Sequence, residues 1–473
     1  MTSIVVAVAT VVLLLLLILW ARLPAFLALL ACCLFAGLAG GLDPASIPGV
    51  LQEALGGVLG YIALVVGLGA MLGELLRASG AVGRIADGLL AAVGPTRAGL
   101  ALGLTGLVVA VPVFFDVAFI LFVPLVYALA RAGTSRSHLA FALPLLAGLA
   151  VGHAFVPPTP GPVAVAGIVG ADLGWVIVFG LVSGLPALLV GTVVGGRIAR
   201  RLDLRAVRSG VESCGSLRAV SGDAGDHETA DAVSTDGVST DGGSTDDEEP
   251  PSLALSLALV ALPLLAIVAA TASRVWLPDD SGARSVLQLI GHPFTALLGA
   301  ALLAHLLLGV RRGVGARALR ALGERALEPI GMILLVTGAG GALGKVFVAI
   351  GVGDAVASLV ASTGLPLVVF AFALAAAVRV AQGSATVSMV TAAGLVAPVV
   401  EAGGVQGPAL AALVIAIAAG ATVLSHVNDS GFWLVSRYLG LSERDTLRSW
   451  TVLTTVIGGS GFLVVWLLSA LVG

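Results

Sequence analysis

Long apolar windows, separated by short charged or Gly/Pro-rich stretches, dominate the chain. Windows of about 20 apolar residues predict helices that cross a bilayer. They fall near residues 4–20, 24–41, 56–76, 175–196, 253–272, 287–309, 329–350 and 450–472. Two other windows, 98–131 and 366–400, are too long for one comfortable span and carry polar residues in their middle. We predict that each is a re-entrant helical hairpin.

Two more apolar segments are interrupted by residues that cannot continue a helix. The segment 139–170 contains GHAFVPPTPG from Gly152 to Gly161, and the segment 408–438 contains SHVNDSG from Ser425 to Gly431. Proline removes a backbone donor and clashes with the preceding turn. Unpaired backbone at membrane depth is tolerated where protein or a water-filled cavity covers it, so a broken helix there usually marks a binding site.

The two halves of the chain resemble each other. GLGAMLGELLRASG from Gly67 aligns with GAGGALGKVFVAIG from Gly338, and PPTPGPVAVAGIVGADL from Pro157 aligns with NDSGFWLVSRYLGLSE from Asn428. The offset is about 270 residues both times, which indicates a duplication. Arginines gather in alternate loops, and this bias predicts an external amino terminus. We therefore expect an all-α polytopic membrane protein with two inverted-topology repeats, 1–208 and 251–473, each with about five crossings and one hairpin.

Composition supports this class and excludes others. The chain is 58% hydrophobic and 11% charged, with a mean hydropathy of +1.10. Most of it therefore belongs in lipid, in the cell (plasma) membrane, and no nucleic-acid footprint is present. The three cysteines form neither a disulfide framework nor a metal spacing, and no cofactor or metal is expected. Residues 209–250 are acidic and rich in Ser, Thr, Asp and Gly, which predicts a disordered cytoplasmic linker; a partner-binding tail is the alternative.

The irregular tips carry small hydroxyl, amide and carboxyl side chains that suit a polar solute. The predicted substrate-binding residues are Thr159 in the first break; Gln382, Ser384 and Thr386 at the second hairpin; and Asn428, Asp429 and Ser430 in the second break. Half-helix amino termini at these tips would present free N–H groups to a carboxylate. The alternative is that the hydroxyls merely bond the preceding turn.

Charged and titratable residues inside a membrane are costly, so each is a functional candidate. Asp116 follows two phenylalanines, whose company would favour an uncharged carboxyl that takes up and releases a proton, although it could instead cap the hairpin turn. His153 and His426 could titrate or could bond freed carbonyls. Asp429 could bind sugar hydroxyls or carry the proton. Arg379 could pair with a substrate carboxylate or anchor the interface.

Three motifs together resemble the gluconate permease family of proton symporters, a branch of the ion-transporter superfamily. They are HAFVPPTPGPVAVA, AVRVAQGSATVSMVTAAG and SHVNDSGFWLVSRYLGLS. The resemblance extends over nearly the whole chain apart from the linker. It implies uptake of gluconate or a related small hydroxylated acid with protons. Members of this family also take idonate, fructuronate, glycerate and D-serine.

Two other functions compete with a secondary transporter. A membrane-embedded hydrolase would use His153 or His426 with Asp116 or Asp429, yet no HExxH or GxSxG element is present. A channel is the other alternative. The sequence leaves open sodium in place of protons as the coupling ion, the preferred acid, and a homodimer as the assembly.

Overall fold

Helices form all the regular structure in the part of the chain that can be described. The structure is a computed structural model, and it describes every residue except 1, 95–96, 133–136, 217–248, 354, 356–357, 359–364 and 473. The first half contains α1 (Thr2–Leu19), α2 (Ala25–Ala39), α3 (Ile47–Ala78), α4 (Ala81–Val93), α5 (Ala98–Ala110), α6 (Phe115–Ala132), α7 (Leu139–Phe155), α8 (Pro160–Val169) and α9 (Leu173–Ser216).

The second half is helical as well. It contains α10 (Leu253–Trp276), α11 (Gly282–Ile290), α12 (Pro293–Ala304), α13 (Ala316–Leu327), α14 (Ile330–Ala349), α15 (Leu367–Gln382), α16 (Ala385–Gly403), α17 (Pro408–Thr422), α18 (Ser430–Tyr438), α19 (Glu443–Thr446) and α20 (Val452–Val472). A π-helical turn, Leu447–Thr451, joins α19 to α20. Among the described residues, eight helical stretches are long and apolar enough to cross a membrane. The predicted class, an all-α polytopic membrane protein, is thereby confirmed.

Several boundaries differ from the prediction for local reasons. The window 287–309 is not one helix, because α11 ends at Ile290 and α12 begins at Pro293. Pro293 suits the first position of a helix, where its missing N–H is not needed, and His292 caps that helix through its ring nitrogen. The third helix begins at Ile47, nine residues earlier than expected. The helix α9 continues to Ser216, past the predicted start of the linker at 209, and residues 217–248 of that linker lie outside the described residues.

The helices α7 and α17 form the centre of the molecule. Nearly all their side chains are buried, which fits helices that are apolar all round. In the first half, α5 packs on α7 at backbone contact distance. A Cβ added to Gly106 would lie 2.5 Å from the Leu145 carbonyl oxygen, and one added to Gly148 would lie 1.9 Å from the Gly103 oxygen. Small residues at such interfaces let membrane helices approach closely, and here they fix the position of the first hairpin.

The helices α3 and α14 pack against each other and receive the irregular segments. A Cβ on Gly73 of α3 would lie 1.7 Å from the carbonyl oxygen of Pro112, at the turn between α5 and α6. A Cβ on Gly69 would lie 3.4 Å from the Pro158 ring, in the break between α7 and α8. Two glycines one helical turn apart therefore seat both irregular segments of the first half on one helix.

Candidate functional site

The first break lies between α7 and α8 and presents few backbone donors. Thr159 caps α8 with only 4% of its surface exposed, and its hydroxyl donates to the Val156 carbonyl at 2.7 Å. Pro160 and Pro162 occupy two of the first three helical positions and have no N–H to offer. The Thr159 hydroxyl therefore bonds its own turn, as the alternative interpretation held. The expected cluster of free N–H groups at this helix terminus is reduced to Gly161.

The second break is fastened to the second hairpin by hydrogen bonds. The Asn428 amide donates to the Val380 and Ala381 carbonyls at 3.0 and 3.3 Å, and His426 Nε2 lies 3.0 Å from the Val380 oxygen. These carbonyls belong to the last turn of α15, where no intrahelical donor follows. His426 thus takes the alternative role, that of a partner for freed carbonyls. The backbone of Gly383, with φ of 89°, packs directly on that of Asn428. A Cβ added to Gly383 would lie 2.2 Å from the backbone carbonyl oxygen of Asn428.

Asp429 lies at the centre of a buried polar network. Its Oδ2 accepts from Arg379 Nη2 at 2.5 Å and from the Ser425 hydroxyl, and its Oδ1 accepts from the Gly431 amide at 3.2 Å. Trp450 Nε1 donates to the Ser425 oxygen at 2.7 Å. The side chains of Arg379 and Asp429 are 4% and 11% exposed. A buried ion pair of this kind joins the second hairpin to the second break and closes the amino terminus of α18.

Hydroxyl and amide side chains around this pair differ in burial. Ser384 caps α16 and accepts from the Val387 amide at 3.4 Å, while Asn428 and Ser430 are exposed. Gln382 and Thr386 are half-buried, and the Gln382 amide nitrogen is buried without a partner among the described residues. The exposed groups of the second break therefore stand beside the buried ion pair.

Phe115 connects the first hairpin to this network. Its ring centroid lies 5.5 Å from that of Trp450 and 6.3 Å from that of His153. Asp116 follows it in the first turn of α6 and is exposed, without a hydrogen bond or ion pair to any described residue. The Phe115 ring turns inward to Trp450, and the exposed Asp116 side chain is still partly desolvated by the protein around it. Its role as a proton carrier stays a prediction. Asp116 and His153 both lie within electrostatic reach of Asp429.

His153 lies beside a cavity of about 10 Å³ between α3, the first hairpin turn and the first break. Pro112, Pro158 and Thr159 also line it. That volume has room for about one water molecule. The ring nitrogen Nδ1 of His153 is buried and has no partner among the described residues. A single water molecule in this cavity would therefore hydrogen-bond to Nδ1 of His153.

A larger cavity of about 860 Å³ opens between the outer parts of α3 and α14 and the ends of α8 and α16. Charged side chains line it at Glu53, Lys345 and Glu401. Lys345 on α14 and Glu401 on α16 approach to 3.9 Å, and both are more than half exposed. This pair connects α14, which packs against α3, to the second hairpin.

Sequence reasoning missed some members of the site. Trp450 gave no signal, because one tryptophan at the start of an apolar helix is ordinary, and only the fold brings it to Ser425. Arg379 had a signal, a charge inside an apolar window, but two interpretations were left open for it.

This architecture is shared with solved transporter structures. The Alcanivorax borkumensis YdaH transporter matches with a TM-score of 0.58 at 13% identity, over 95% of this chain and 98% of that one. The Neisseria gonorrhoeae MtrF structure matches with a TM-score of 0.58 at 14% identity, over 93% and 94%. At such identity the likeness shows the fold alone, that of a polytopic helical membrane protein.

Sequence comparison gives the family. The model of the GntP family permease matches residues 1–472, and the chain belongs to this family. It is 38% identical to the low-affinity gluconate transporter of Escherichia coli K12, over 98% of this chain and 97% of the relative. It is 35% identical to a gluconate permease of Pseudomonas aeruginosa, over 98% and 96%, and 33% identical to the L-idonate transporter of the Gnt-II system of Escherichia coli K12, over 98% of both. The chain is a membrane permease and not an enzyme.

Proposed function

We propose that this permease imports gluconate, or a closely related small hydroxylated monocarboxylate, together with protons. The observation that carries the substrate class is full-length similarity to relatives named as gluconate and L-idonate transporters. A buried cation with hydroxyl and amide groups around it fits the same class, because a sugar acid offers one carboxylate and several hydroxyls.

Alternating access in this proposal is a movement of the hairpins and broken helices against α3 and α14. The repeat alignment makes Gly344 of α14 the equivalent of Gly73, and the same offset makes Gly383 the equivalent of Pro112. Gly73 contacts Pro112 itself, whereas a Cβ on Gly344 would lie 3.0 Å from the Gly394 oxygen. Gly394 is eleven residues beyond Gly383, which is about 16 Å along a helix.

That offset is what an inverted repeat produces when its mobile unit is displaced to one side. Exchanging the contacts of the two halves gives a second conformation, in which Gly344 faces Gly383 and Gly73 faces Val123. With the external amino terminus that the arginine bias favours, the mobile unit of this structure is displaced toward the cytoplasm. A cysteine placed at Asp236 in the linker would then be protected from membrane-impermeant thiol reagents, and rapid labelling from outside would contradict this orientation.

Substrate hydroxyls in this proposal bind among Thr159, Gln382, Ser384, Thr386, Asn428 and Ser430, with Asp429 beside them. Proton coupling is assigned to Asp116 and His153, with His426 as a further titratable group in the break. Asp116 suits proton uptake because it is exposed at the turn yet lies within electrostatic reach of Asp429. His153 lies beside the small cavity and retains an unpartnered nitrogen among the described groups.

Uptake of labelled gluconate into proteoliposomes tests the proposal. We expect accumulation against a concentration gradient when the outside is made acidic, and no accumulation when a sodium gradient alone is imposed. A competition panel of gluconate, idonate, fructuronate, glycerate and D-serine ranks the substrates. Equilibration without accumulation would indicate a channel, and accumulation driven by sodium alone would contradict proton symport.

Asp116→Asn tests the role of Asp116 in coupling. The amide mimics the protonated carboxyl, so we expect this variant to lose accumulation driven by a pH gradient while it still exchanges internal for external gluconate. Glu53→Gln, in the large cavity, is the matched control and should leave accumulation unchanged. Full pH-driven accumulation by Asp116→Asn would exclude Asp116 as a proton carrier.

A further inference from the structure

Arg379 is a buried cation that its ion pair satisfies only in part. The guanidinium Nη2 donates to Asp429, but Nε and Nη1 are buried and have no partner among the described residues. A guanidinium has five N–H donors in one plane, and leaving buried donors unpaired is costly. Nε and Nη1 lie on different edges of the guanidinium, so one carboxylate cannot bind both. A second planar acceptor such as a carboxylate can bind Nη1 together with the remaining N–H of Nη2 in a bidentate manner.

Other anion-binding positions near the breaks are already occupied or lack donors. The first turn of α8 has prolines at Pro160 and Pro162, and the amino terminus of α18 is capped by Asp429 itself. Arg379 is the one buried cation among the described residues. A substrate carboxylate that enters this site thus finds its strongest partner at Arg379.

The charge of the site then decides what must accompany the anion. The pair Arg379–Asp429 is neutral, so a substrate carboxylate would leave the buried site with one net negative charge. An unbalanced charge in a low-dielectric interior is strongly unfavourable. A proton on Asp429 removes the excess charge and weakens the hold of Asp429 on the guanidinium, which becomes available to the substrate.

We propose that Arg379 binds the substrate carboxylate and that Asp429 releases Arg379 by taking up a proton, so that one proton and one anion bind together. This inference rests on the proposed function and names the residues that would perform it. The proton is added to a carboxylate oxygen of Asp429, while Arg379 stays charged throughout. Ser425 and Trp450 hold Asp429 in place while its partner changes.

Other titratable groups face Asp429 from the elements that pack against it. His426 lies in the same break and bonds Val380, while Asp116 on α6 and His153 on α7 lie within electrostatic reach. Arg448, in the π-helical turn that carries Trp450, is exposed. Asp116 and His153, to which proton coupling is assigned above, would pass the proton to Asp429, which holds it while the anion is bound.

Competition by charged and uncharged analogues tests the role of Arg379. In wild-type proteoliposomes, gluconate should inhibit uptake of labelled gluconate much better than gluconamide, in which an uncharged amide replaces the carboxylate. Arg379→Gln should reduce the apparent affinity for gluconate by roughly tenfold or more, to the level of gluconamide. Arg379→Lys should retain part of the preference. A preference for gluconate that survives in Arg379→Gln would overturn the assignment.

Asp429→Asn tests the proton switch. This variant should keep gluconate exchange, lose accumulation driven by a pH gradient, and bind gluconate with an affinity that no longer depends on pH. Asp172→Asn is the matched control, because Asp172 also accepts from an arginine, a hydroxyl and a backbone amide, namely those of Arg274, Thr271 and Trp175. It should behave as wild type. Unchanged pH-driven accumulation in Asp429→Asn would contradict the switch.

A purely structural ion pair predicts another pattern. The double variant Arg379→Gln/Asp429→Asn keeps the site neutral. It should fold even when a single variant fails to fold because one buried charge has lost its partner. Under our proposal it still lacks the preference for carboxylates, whereas a structural role predicts that the preference returns. Binding can also be measured without transport, as the rise in thermal midpoint that D-gluconate, D-glycerate or D-serine causes in the detergent-solubilised protein. We expect this rise in the wild type and its loss in Arg379→Gln. Failure of the wild type to accumulate gluconate would contradict the proposed function instead.

Discussion

The predicted repeat aligns α3 with α14, and these two helices make different contacts. In the first half, Gly73 of α3 contacts the hairpin turn at Pro112. In the second half, the equivalent Gly344 of α14 contacts Gly394, well along the second arm of the hairpin. The helix α16 packs along α14 and α8, whereas α6 packs chiefly on α7 and touches α18 little. The two halves thus make asymmetric contacts in this structure, and the exchange of contacts proposed above gives the mirror arrangement.

The charged and hydroxyl-bearing residues of the candidate site are divided between the halves even more unevenly. The positions equivalent to Arg379, Ser425 and Asp429 in the first half are Val108, Ala154 and Pro158. The buried ion pair thus has no counterpart, and the first half contributes Asp116, His153 and the shape of the proline-rich break. Of the two aligned halves, only the second holds a buried ion pair among the described residues.

The largest effect is expected from a link that holds the mobile unit in one position. Lys345 and Glu401 join α14 to α16 in this structure. Their equivalents by the repeat alignment are Glu74 and Ala130, which should meet in the opposite conformation. In a background where Cys32, Cys33 and Cys214 are replaced by alanine, we expect a reducible bifunctional thiol reagent about as long as the lysine–glutamate pair to crosslink both Lys345→Cys/Glu401→Cys and Glu74→Cys/Ala130→Cys. Either link should abolish gluconate uptake, and reduction should restore it.

The single-cysteine variants are the controls for this experiment and should transport normally after treatment with the reagent. Crosslinking of the first pair alone, with the second pair never crosslinked during turnover, would contradict the exchange of contacts between the halves.

A smaller effect, on thermal stability, is expected when the glycines that contact the hairpins are replaced by alanine. In Gly73→Ala the new methyl group would meet the backbone oxygen of Pro112 at 1.7 Å, whereas in Gly344→Ala it would meet that of Gly394 at 3.0 Å. Alanine raises helix propensity by about 1 kcal/mol, so a loss of stability must come from the contact. We expect Gly73→Ala to lower the thermal midpoint clearly and Gly344→Ala to change it little.

Gly57→Ala is the control within α3, because no atom lies within 4 Å of its added Cβ. Equal stability of Gly73→Ala and Gly57→Ala would show that the first hairpin does not seat on Gly73 as described.

The sequence predicts the class of fold because its signals are local. Twenty-residue apolar windows and prolines inside them act through the backbone, so the positions of helices and irregular segments can be read directly. The break at Pro157 belongs to this group, whereas the caps at Ser384 and Asp429 were not predicted, since both residues were assigned to substrate binding. The start of α3 at Ile47 was missed, because Gln52 and Glu53 made that region look like a loop.

The site is less predictable because its contacts join distant segments. Arg379 and Asp429 are fifty residues apart, and Trp450 comes from yet another helix. Nothing in the local pattern tells whether Asp116 points inward or outward, since phenylalanines before it suit both arrangements. In the structure the Phe115 ring packs toward Trp450, while the exposed Asp116 side chain is still partly desolvated by the protein around it.

The smallest effect is expected when polar groups of the two breaks are compared directly. The Asn428 side chain fastens the second break to α15 through two carbonyls, so Asn428→Ala removes bonds that hold two mobile segments together. Loss of these hydrogen bonds should reduce the free energy that holds the break to α15 by about 1–3 kcal/mol. Transport should weaken several-fold, and membrane insertion should be unaffected. Thr159→Val keeps the shape of the side chain and removes a bond only within one turn, so its effect on uptake affinity should be smaller. The measurement is the concentration dependence of gluconate uptake at matched protein levels. A larger loss for Thr159→Val than for Asn428→Ala would mean that the first break, and not the second, makes the stronger contacts with the substrate.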